Sequence, residues 1–124
     1  MQFEVKEDHS RGQARVFALV GELDLATAPD VREPLFEAIA AGTHQLVLDL
    51  AELTFVDSTG IATLLSVRRR IQAAGGALAV ANVSDHVANV FTITGVAGPL
   101  DVQPSRAAAV KAVGARARDL RAPA

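Results

Sequence analysis

Residues 45–50, with the sequence QLVLDL, begin the unit from which the fold is predicted. The leucines of this stretch alternate with other residues as in a short strand, and after the segment 51–57 a helical pattern runs over residues 58 to about 74. The glycine pair at 75–76 ends this helix, and the strand pattern ALAVA follows at 77–81. A strand, a helix and a strand in series predict a right-handed crossover between parallel strands, with residues 51–57 as a loop.

Upstream of this unit the sequence predicts a hairpin and then a helix. Residues 3–6 and 14–20 have strand patterns on either side of a turn-like segment at 10–12. A helical pattern with acidic residues in its first turn follows from Thr27 to about Ala41. Pro34 inside this pattern removes a backbone donor, so a kink there is one interpretation.

Downstream the pattern continues in the same way. Ser84 is a typical cap for a helix that reaches about Thr94, residues 100–102 have a short strand pattern, and a last helix runs over residues 105 to about 117. The order β-β-α-β-α-β-α-β-α predicts an α/β fold with a mixed sheet, an N-terminal hairpin and a parallel core. We expect a single domain over residues 1–117 and a frayed tail over residues 118–124.

The strands also predict how the helices are arranged. In residues 45–50 the three leucines point one way, while Gln45, Val47 and Asp49 point the other way. A parallel sheet covered on both faces should have continuous apolar strands. The alternation therefore predicts that the helices pack mainly on one face and leave the other face partly open.

The composition argues against several classes of function. The chain has no cysteine, and His9, His44 and His86 lack metal-ligand spacing, so we expect neither a metal site nor a cofactor. A net charge of −2 and only five aromatic residues, all Phe, do not favour nucleic acid or a membrane surface as a partner. Because the start lacks the apolar run of a signal peptide and no later stretch suits a bilayer span, the sequence predicts a cytoplasmic protein with protein partners.

Ser58 lies where a predicted loop gives way to a helix, so its hydroxyl can cap the first turn. Capping alone would explain a serine at this position. Gly60 in the same turn costs ~1 kcal/mol of helix propensity relative to Ala, which indicates that another group approaches closely. The outward face of the helix is small, with Ala62, Thr63 and Ser66, and would admit a partner's surface, although an Ala-rich composition explains these residues equally well.

The far end of the same helix is cationic. Arg69 and Arg70 lie on its outward face, whereas Arg68 falls within the apolar stripe. Either the stem of Arg68 extends to the edge of the core or its guanidinium meets a buried acid, and the sequence leaves both interpretations open.

Motifs of enzymes are incomplete in this chain. A hydrolase elbow, G-x-S-x-G, needs a glycine where Val56 stands, and no motif identifies His44 or His86 as a base. The glycine pair at 75–76 precedes Ala77 instead of the Lys-Ser/Thr of a phosphate loop, so a helix end explains it better. The sequence therefore predicts no catalytic residues.

Several motifs together resemble the STAS domain of bacterial anti-sigma-factor antagonists. They are GELD at 21–24, LVLDL at 46–50, FVDSTGI at 55–61, the glycine pair at 75–76 and VFTITGV at 90–96. The resemblance covers about residues 3–112. Because these motifs occur in the family's order, they are far more specific together than any one of them alone.

The resemblance implies that Ser58 is a phosphorylation switch. In that family the serine after the Asp of the D-S-S/T-G motif is phosphorylated by the anti-sigma factor, a serine kinase of the histidine-kinase-like ATPase fold, and a PPM-type phosphatase restores it. The unphosphorylated antagonist binds the anti-sigma factor and frees the sigma factor. Thr59 is a competing acceptor, and only the family pattern favours Ser58. The predicted partner-binding residues are Asp24, Asp57, Ser58, Thr59, Gly60, Ala62, Thr63 and Ser66.

A second hypothesis comes from a different class of protein. The chain would then be a non-catalytic STAS subunit of a larger assembly, such as a stress-signalling complex or a lipid-transport ATPase complex. The short single-domain length argues modestly against the stress-signalling form. Purification with transporter subunits and without a kinase would favour this hypothesis.

Overall fold

The computed structural model describes residues 3–121, with the side chains of residues 3–8 and 12–117. Within that range the chain forms six strands and four helices. The strands are β1 (Glu4–Arg11), β2 (Ala14–Leu23), β3 (Gln45–Asp49), β4 (Leu53–Val56), β5 (Ala77–Ala81) and β6 (Val102–Gln103). The helices are α1 (Ala28–Ala40), α2 (Ser58–Ala73), α3 (Asp85–Thr94) and α4 (Arg106–Arg121). The predicted order of elements is confirmed, with β4 as one additional strand.

The strands form a mixed sheet in the order β1-β2-β3-β5-β6. β1 and β2 pair in antiparallel fashion, whereas β2 with β3, β3 with β5 and β5 with β6 pair in parallel. A parallel neighbour requires a crossover connection, and α1, α2 and α3 provide these connections. The predicted N-terminal hairpin and parallel core are therefore confirmed.

Residues 51–57 are not the loop that the sequence predicts, because β4 lies within them and pairs in parallel with the end of β2. β2 pairs with β3 through residues 15–18, and its last residues extend beyond that ladder. β4 provides hydrogen-bonding partners for this extension, with Leu23 opposite Val56. This pairing places the ends of β2 and β4 next to each other.

Helices α1, α2 and α3 pack on the same face of the sheet. The core on this face is built from large apolar side chains, among them Leu19, Val31, Leu35, Leu46, Leu48, Leu64, Ile71, Leu78 and Phe91. The prediction that the helices lie mainly on one face is confirmed for these three helices.

Helix α4 covers part of the opposite face with small side chains. Ala109, Val113 and Ala117 pack there against a second apolar cluster from the sheet, namely Ala14, Val16, Val47, Ala77, Ala79 and Ala81. Ala18 and Val20 of β2, on the same face, stay half-buried. This face is thus only partly covered, as the alternation of the strands predicts.

The C-terminal helix is longer than predicted. It continues to Arg121, beyond the expected end near Ala117, and includes residues 118–121 of the predicted frayed tail. Ala and Arg are strong helix formers, and they alternate over residues 115–118, which explains the continuation. Residues 122–124 of the predicted tail lie outside the described residues. Within residues 3–121, no helix combines the length and the apolar character that crossing a bilayer requires.

Candidate functional site

Two loops leave the sheet side by side at the carboxyl ends of β2 and β4. Leu23 and Val56 are opposite each other in the parallel ladder, and the amide of Asp57 donates to the carbonyl of Leu23 at 3.3 Å. Asp24 and Asp57 therefore follow paired residues at one edge of the sheet. Helices α1 and α2 begin at this edge, so three predicted site residues, Asp24, Asp57 and Ser58, come together here.

Asp57, and not Ser58, caps helix α2. Asp57 has an extended backbone, and its carboxylate oxygen Oδ1 accepts a hydrogen bond from the amide of Gly60 at 2.8 Å. Ser58 is already the first helical residue, so the prediction that its hydroxyl caps the first turn is wrong. The side chain of Ser58 is exposed, and its hydroxyl makes no hydrogen bond to any described residue. The hydroxyl is therefore available to another molecule.

The start of α2 offers two unpaired backbone donors beside this hydroxyl. Of the first four amides of the helix, Gly60 donates to the carboxylate of Asp57 and Ile61 donates to its carbonyl at 2.9 Å. The amides of Ser58 and Thr59 have no acceptor among the described residues. Such amides, together with the positive end of the helix dipole, favour an anion.

The neighbouring loop is closed by hydrogen bonds of Asp24. Its carboxylate accepts hydrogen bonds from the amides of Ala26 at 3.0 Å and Thr27 at 3.1 Å, while the hydroxyl of Thr27 accepts from the amide of Asp24 at 3.0 Å. The same hydroxyl donates to the carbonyl of Glu22 at 2.8 Å. This closed turn fixes a half-buried carboxylate at the edge where Asp57 and Ser58 lie.

This arrangement occurs in a chain that matches one family almost from end to end. The profile described as "STAS domain" matches residues 2–109. The chain belongs to the STAS domain family. The resemblance carried by the motifs is thus confirmed over nearly the whole chain.

Relatives of this STAS domain include anti-sigma-factor antagonists. The anti-sigma F factor antagonist of Paenibacillus polymyxa is 33% identical over 97 residues, which are 77% of this chain and 82% of the relative. An anti-sigma factor antagonist from Mycobacterium paratuberculosis has the same fold, with a TM-score of 0.81, 21% identity and coverage of 91% of this chain and 95% of that one. The Bacillus cell fate determinant SpoIIAA, solved in its phosphorylated form, aligns with a TM-score of 0.68 and 25% identity over 89% of this chain and 99% of that chain.

Gly60 of this STAS domain has close neighbours, but they are internal. A Cβ atom at this position would lie 2.6 Å from the carbonyl oxygen of Leu23 and 2.7 Å from Cγ2 of Val56. The absence of a side chain therefore lets α2 start directly against the ends of β2 and β4. Gly60 is buried and cannot present a surface to a partner, although the sequence predicts it as a partner-binding residue.

The predicted outward face of α2 is smaller than the sequence suggests. Thr63 is only 2% exposed, and its hydroxyl donates to the carbonyl of Thr59 at 2.8 Å. Ser66 is half-buried and donates to the carbonyl of Thr63 at 2.8 Å, whereas Ala62 is exposed. The predicted site residues that reach the surface are therefore Asp24, Asp57, Ser58, Thr59, Ala62 and Ser66.

Two apolar side chains near this edge are missing from the sequence-based prediction. Leu25 follows Asp24 and is 75% exposed, and Phe55 lies two residues before Asp57 and is 38% exposed. Aromatic residues are enriched at protein interfaces, so Phe55 in particular is a candidate contact for a partner. The signal for Leu25 is a leucine within a turn, whereas the exposure of Phe55 depends on β4, which the sequence pattern does not reveal.

The acidic residues near Ser58 are hydrogen-bonded to the backbone. Across the residues that the structure describes, no group of three or more His, Asp or Glu side chains is arranged to hold an ion. The carboxylates of Asp24 and Asp57 accept hydrogen bonds from backbone amides instead.

Proposed function

We propose that this protein is an anti-sigma-factor antagonist that is switched by phosphorylation of Ser58. The observation that carries the proposal is an exposed, unbonded hydroxyl at the first position of α2, beside two amides without acceptors. Relatives named anti-sigma-factor antagonists support the same function. In its unphosphorylated form the protein binds an anti-sigma factor, and the sigma factor is released.

The start of α2 can accept a phosphate without loss of the fold. A phosphoserine carries about −1.5 to −2 charges at pH 7, and a negative charge at a helix N-terminus is stabilising by about 0.3–1 kcal/mol. The capping hydrogen bond of Asp57 does not involve the Ser58 hydroxyl. The domain should therefore stay folded when Ser58 is modified.

The same phosphate would make the docking surface repulsive to its partner. Asp24 and Asp57 already place two carboxylates at this edge, and phosphorylation adds further negative charge between the helix start and the solvent. A partner matched in shape and charge to the unphosphorylated surface would meet this added charge on docking, and a charge mismatch across an interface costs several kcal/mol. Binding is therefore lost through surface charge and not through unfolding.

Ser58 is a better acceptor than Thr59 on geometric grounds. Ser58 is exposed, whereas Thr59 is half-buried and its carbonyl accepts from the buried Thr63 hydroxyl. A kinase active site needs the acceptor oxygen to protrude from the surface. The exposure of the two residues thus favours the same residue as the family pattern.

The protein acts in this scheme as a substrate and a binding partner, without catalysis of its own. The kinase is the anti-sigma factor, a serine kinase of the histidine-kinase-like ATPase fold, and a PPM-type phosphatase removes the phosphate. The exchange takes place in the cytoplasm.

The acceptor can be tested by incubating the protein with its cognate anti-sigma factor kinase and ATP and mapping the phosphate by mass spectrometry. We expect one phosphate, on Ser58, with none on Ser58→Ala and normal modification of Thr59→Ala. Ser58→Asp should weaken binding to the kinase by at least about tenfold, since it places a charge beside Asp57.

A matched control for this charge is Ala107→Asp, which adds an acid to the first turn of α4 at an exposed position. It should bind the kinase like wild type. Phosphate on another residue, or unchanged kinase binding by Ser58→Asp, would contradict the proposal. If the protein copurifies with transporter subunits and not with a kinase, a role as a subunit of a larger assembly would be favoured instead.

A further inference from the structure

A second surface lies near the other end of α2, in a groove between α1 and α2. The groove has a volume of about 460 Å³ and is lined by Arg32, Phe36, Ser66, Arg69, Arg70 and Ala73. Its four α2 residues are spaced i, i+3, i+4 and i+7, so they share one face of the helix. Three guanidinium groups and one aromatic ring therefore surround a single open concavity.

The arginines of this groove differ from the paired arginines elsewhere in the protein. Those paired with a carboxylate are Arg15, Arg106 and Arg116. The three groove arginines form no ion pair with any residue in the described part of the chain. Neighbouring Arg68 has a buried Nε atom without a hydrogen-bond partner among the described residues. Arg68 also forms no ion pair there, so the interpretation that its guanidinium meets a buried acid is wrong. Among the described residues, no carboxylate pairs with the arginines on this side of α2.

One of these guanidinium groups is held in place by stacking. The Cζ atom of Arg70 lies 4.1 Å from the centroid of the Phe36 ring. Stacking uses the flat face of the guanidinium and leaves its in-plane N–H donors available. Because the donors form a rigid fork, a stacked arginine suits a carboxylate that binds through both oxygens.

The groove is continuous with the surface around Ser58. Ser58, Ala62, Ser66 and Arg69 follow one strip of α2, and Ser66 also lines the groove. From Ser58 to Arg69 the helix rises by about 17 Å, at about 1.5 Å per residue. A protein docked at Ser58 can cover this distance with one standard interface.

We infer that the groove binds an acidic segment of the anti-sigma factor that docks at Ser58. The inference rests on the proposed function and adds a second, positively charged docking site to it. The two ends of α2 then have different roles. The end at Ser58 controls whether the partner binds, and the groove orients the partner along the helix by complementary charge.

A carboxylate-rich segment suits the groove better than other polyanions do. The exposed Glu33 and Glu37 also lie on α1, and the whole chain has a net charge of −2. Nucleic acids and anionic membranes bind through extended basic surfaces, which three arginines in a chain of net charge −2 do not provide. A short peptide can present its carboxylates to these three arginines alone.

The groove can be tested first with a defined probe, a twelve-residue peptide of alternating Glu and Ala, added to the isotope-labelled full chain. We expect saturable shifts of the backbone amide signals of Phe36, Arg69 and Arg70, which weaken as salt is raised. The double variant Arg69→Glu/Arg70→Glu should lose them, with Arg69→Glu alone as the substitute if the double variant does not fold. The charge-matched control Lys6→Glu/Lys111→Glu changes two exposed lysines outside the groove and should keep the shifts. Absence of shifts at the groove, shifts that survive in the arginine variant, or the same shifts at lower concentrations of duplex DNA or phosphatidylglycerol vesicles would overturn the inference.

A second measurement separates this inference from the proposed function. Affinity for the anti-sigma factor should fall about tenfold in Arg69→Glu/Arg70→Glu and stay unchanged in Lys6→Glu/Lys111→Glu. If Ser58→Asp abolishes binding but the arginine variant binds like wild type, the groove inference fails and the proposed function stands. If Ser58→Asp binds like wild type, the proposed function fails and the inference fails with it.

Discussion

The two faces of the sheet are built from different kinds of side chain. The face under α1, α2 and α3 buries large residues such as Leu48 and Phe91 completely. The face under α4 packs alanine and valine against each other, and Arg106 there pairs with the buried Asp49 and with Asp8. The first face is thus stabilised mainly by buried apolar volume, and the second by close packing together with ion pairs. Both candidate surfaces, around Ser58 and in the arginine groove, include helices anchored on the first face.

The largest expected difference between the faces comes from two neighbours on β3. Leu48→Ala empties a fully buried position in the large core and should lower the free energy of unfolding by about 3–5 kcal/mol. Val47→Ala removes less buried volume on the α4 face and should cost about 2 kcal/mol, at about 0.8 kcal/mol per methylene plus a small cavity. Urea unfolding followed by circular dichroism measures both values. Equal losses at the two positions would show that the faces do not differ in this way.

A smaller effect is expected from the ion pair on the α4 face. Asp49 accepts from the amide of Ala51 at 2.9 Å and from the side chain of Asn82 at 3.3 Å, besides pairing with Arg106. Asp49→Ala leaves these donors unpaired, so we expect a loss of about 1–3 kcal/mol in the free energy of unfolding. The loss stays moderate because Arg106 keeps its second carboxylate partner.

The control for this substitution is Asp49→Asn, which keeps an oxygen for the amide of Ala51 and should lose less stability. Phosphorylation of Ser58 should be unaffected in both variants, because the ion pair lies on the opposite face. A change in the site of phosphorylation would contradict the separation of the two faces.

The smallest effect should come from the exposed ion pair between Glu7 and Arg15. Arg15 donates to both oxygens of Glu7 at 2.7 Å, and this hydrogen bonding lowers the pKa of Glu7 below its ordinary value of 4.5. A carboxylate whose pKa is lowered by folding stabilises the protein above its unfolded pKa, and this contribution is lost as the pH falls through the folded value. Since the side chain of Glu7 is 37% exposed, the contribution is at most about 1 kcal/mol.

Unfolding curves taken at a series of pH values from 6 down to about 3 measure this contribution. Below pH 4.5 the stability of Glu7→Gln should fall less steeply than that of wild type. The difference in stability between the two proteins should shrink in high salt. Identical pH profiles of the variant and wild type would show that the pair contributes nothing.

Most of the fold could be predicted because its strands and helices repeat with regular periods. β4 could not, since Leu53 and Val56 are buried while Thr54 and Phe55 between them are exposed. Its pairing with β2 contains a register irregularity between Gly21 and Glu22, so no period of two remains to be recognised.

The candidate site was predictable in part. Asp and Ser are both preferred caps, so adjacent Asp57 and Ser58 could not be ranked from the sequence. The close neighbours of Gly60 belong to β2 and β4, and the contact with β2 is distant in sequence. Only the family resemblance selected Ser58 as the acceptor, and its exposure became visible with the fold.

Only part of the groove could be predicted from the sequence. The run of arginines at 68–70 predicted a cationic end of α2, but Arg32 and Phe36 come from α1. Their meeting depends on how two helices pack. Which arginines have carboxylate partners depends likewise on contacts across the sheet.

The placement of the cap on Asp57 has a consequence for the kinetics of the proposed switch. Had the modified serine also held the helix start, every round of phosphorylation would break and rebuild the first turn of α2. Here one residue anchors the helix and the next one carries the signal. The protein can therefore pass through many cycles of modification without a folding step, and the lifetime of each state is set by the enzymes that add and remove the phosphate.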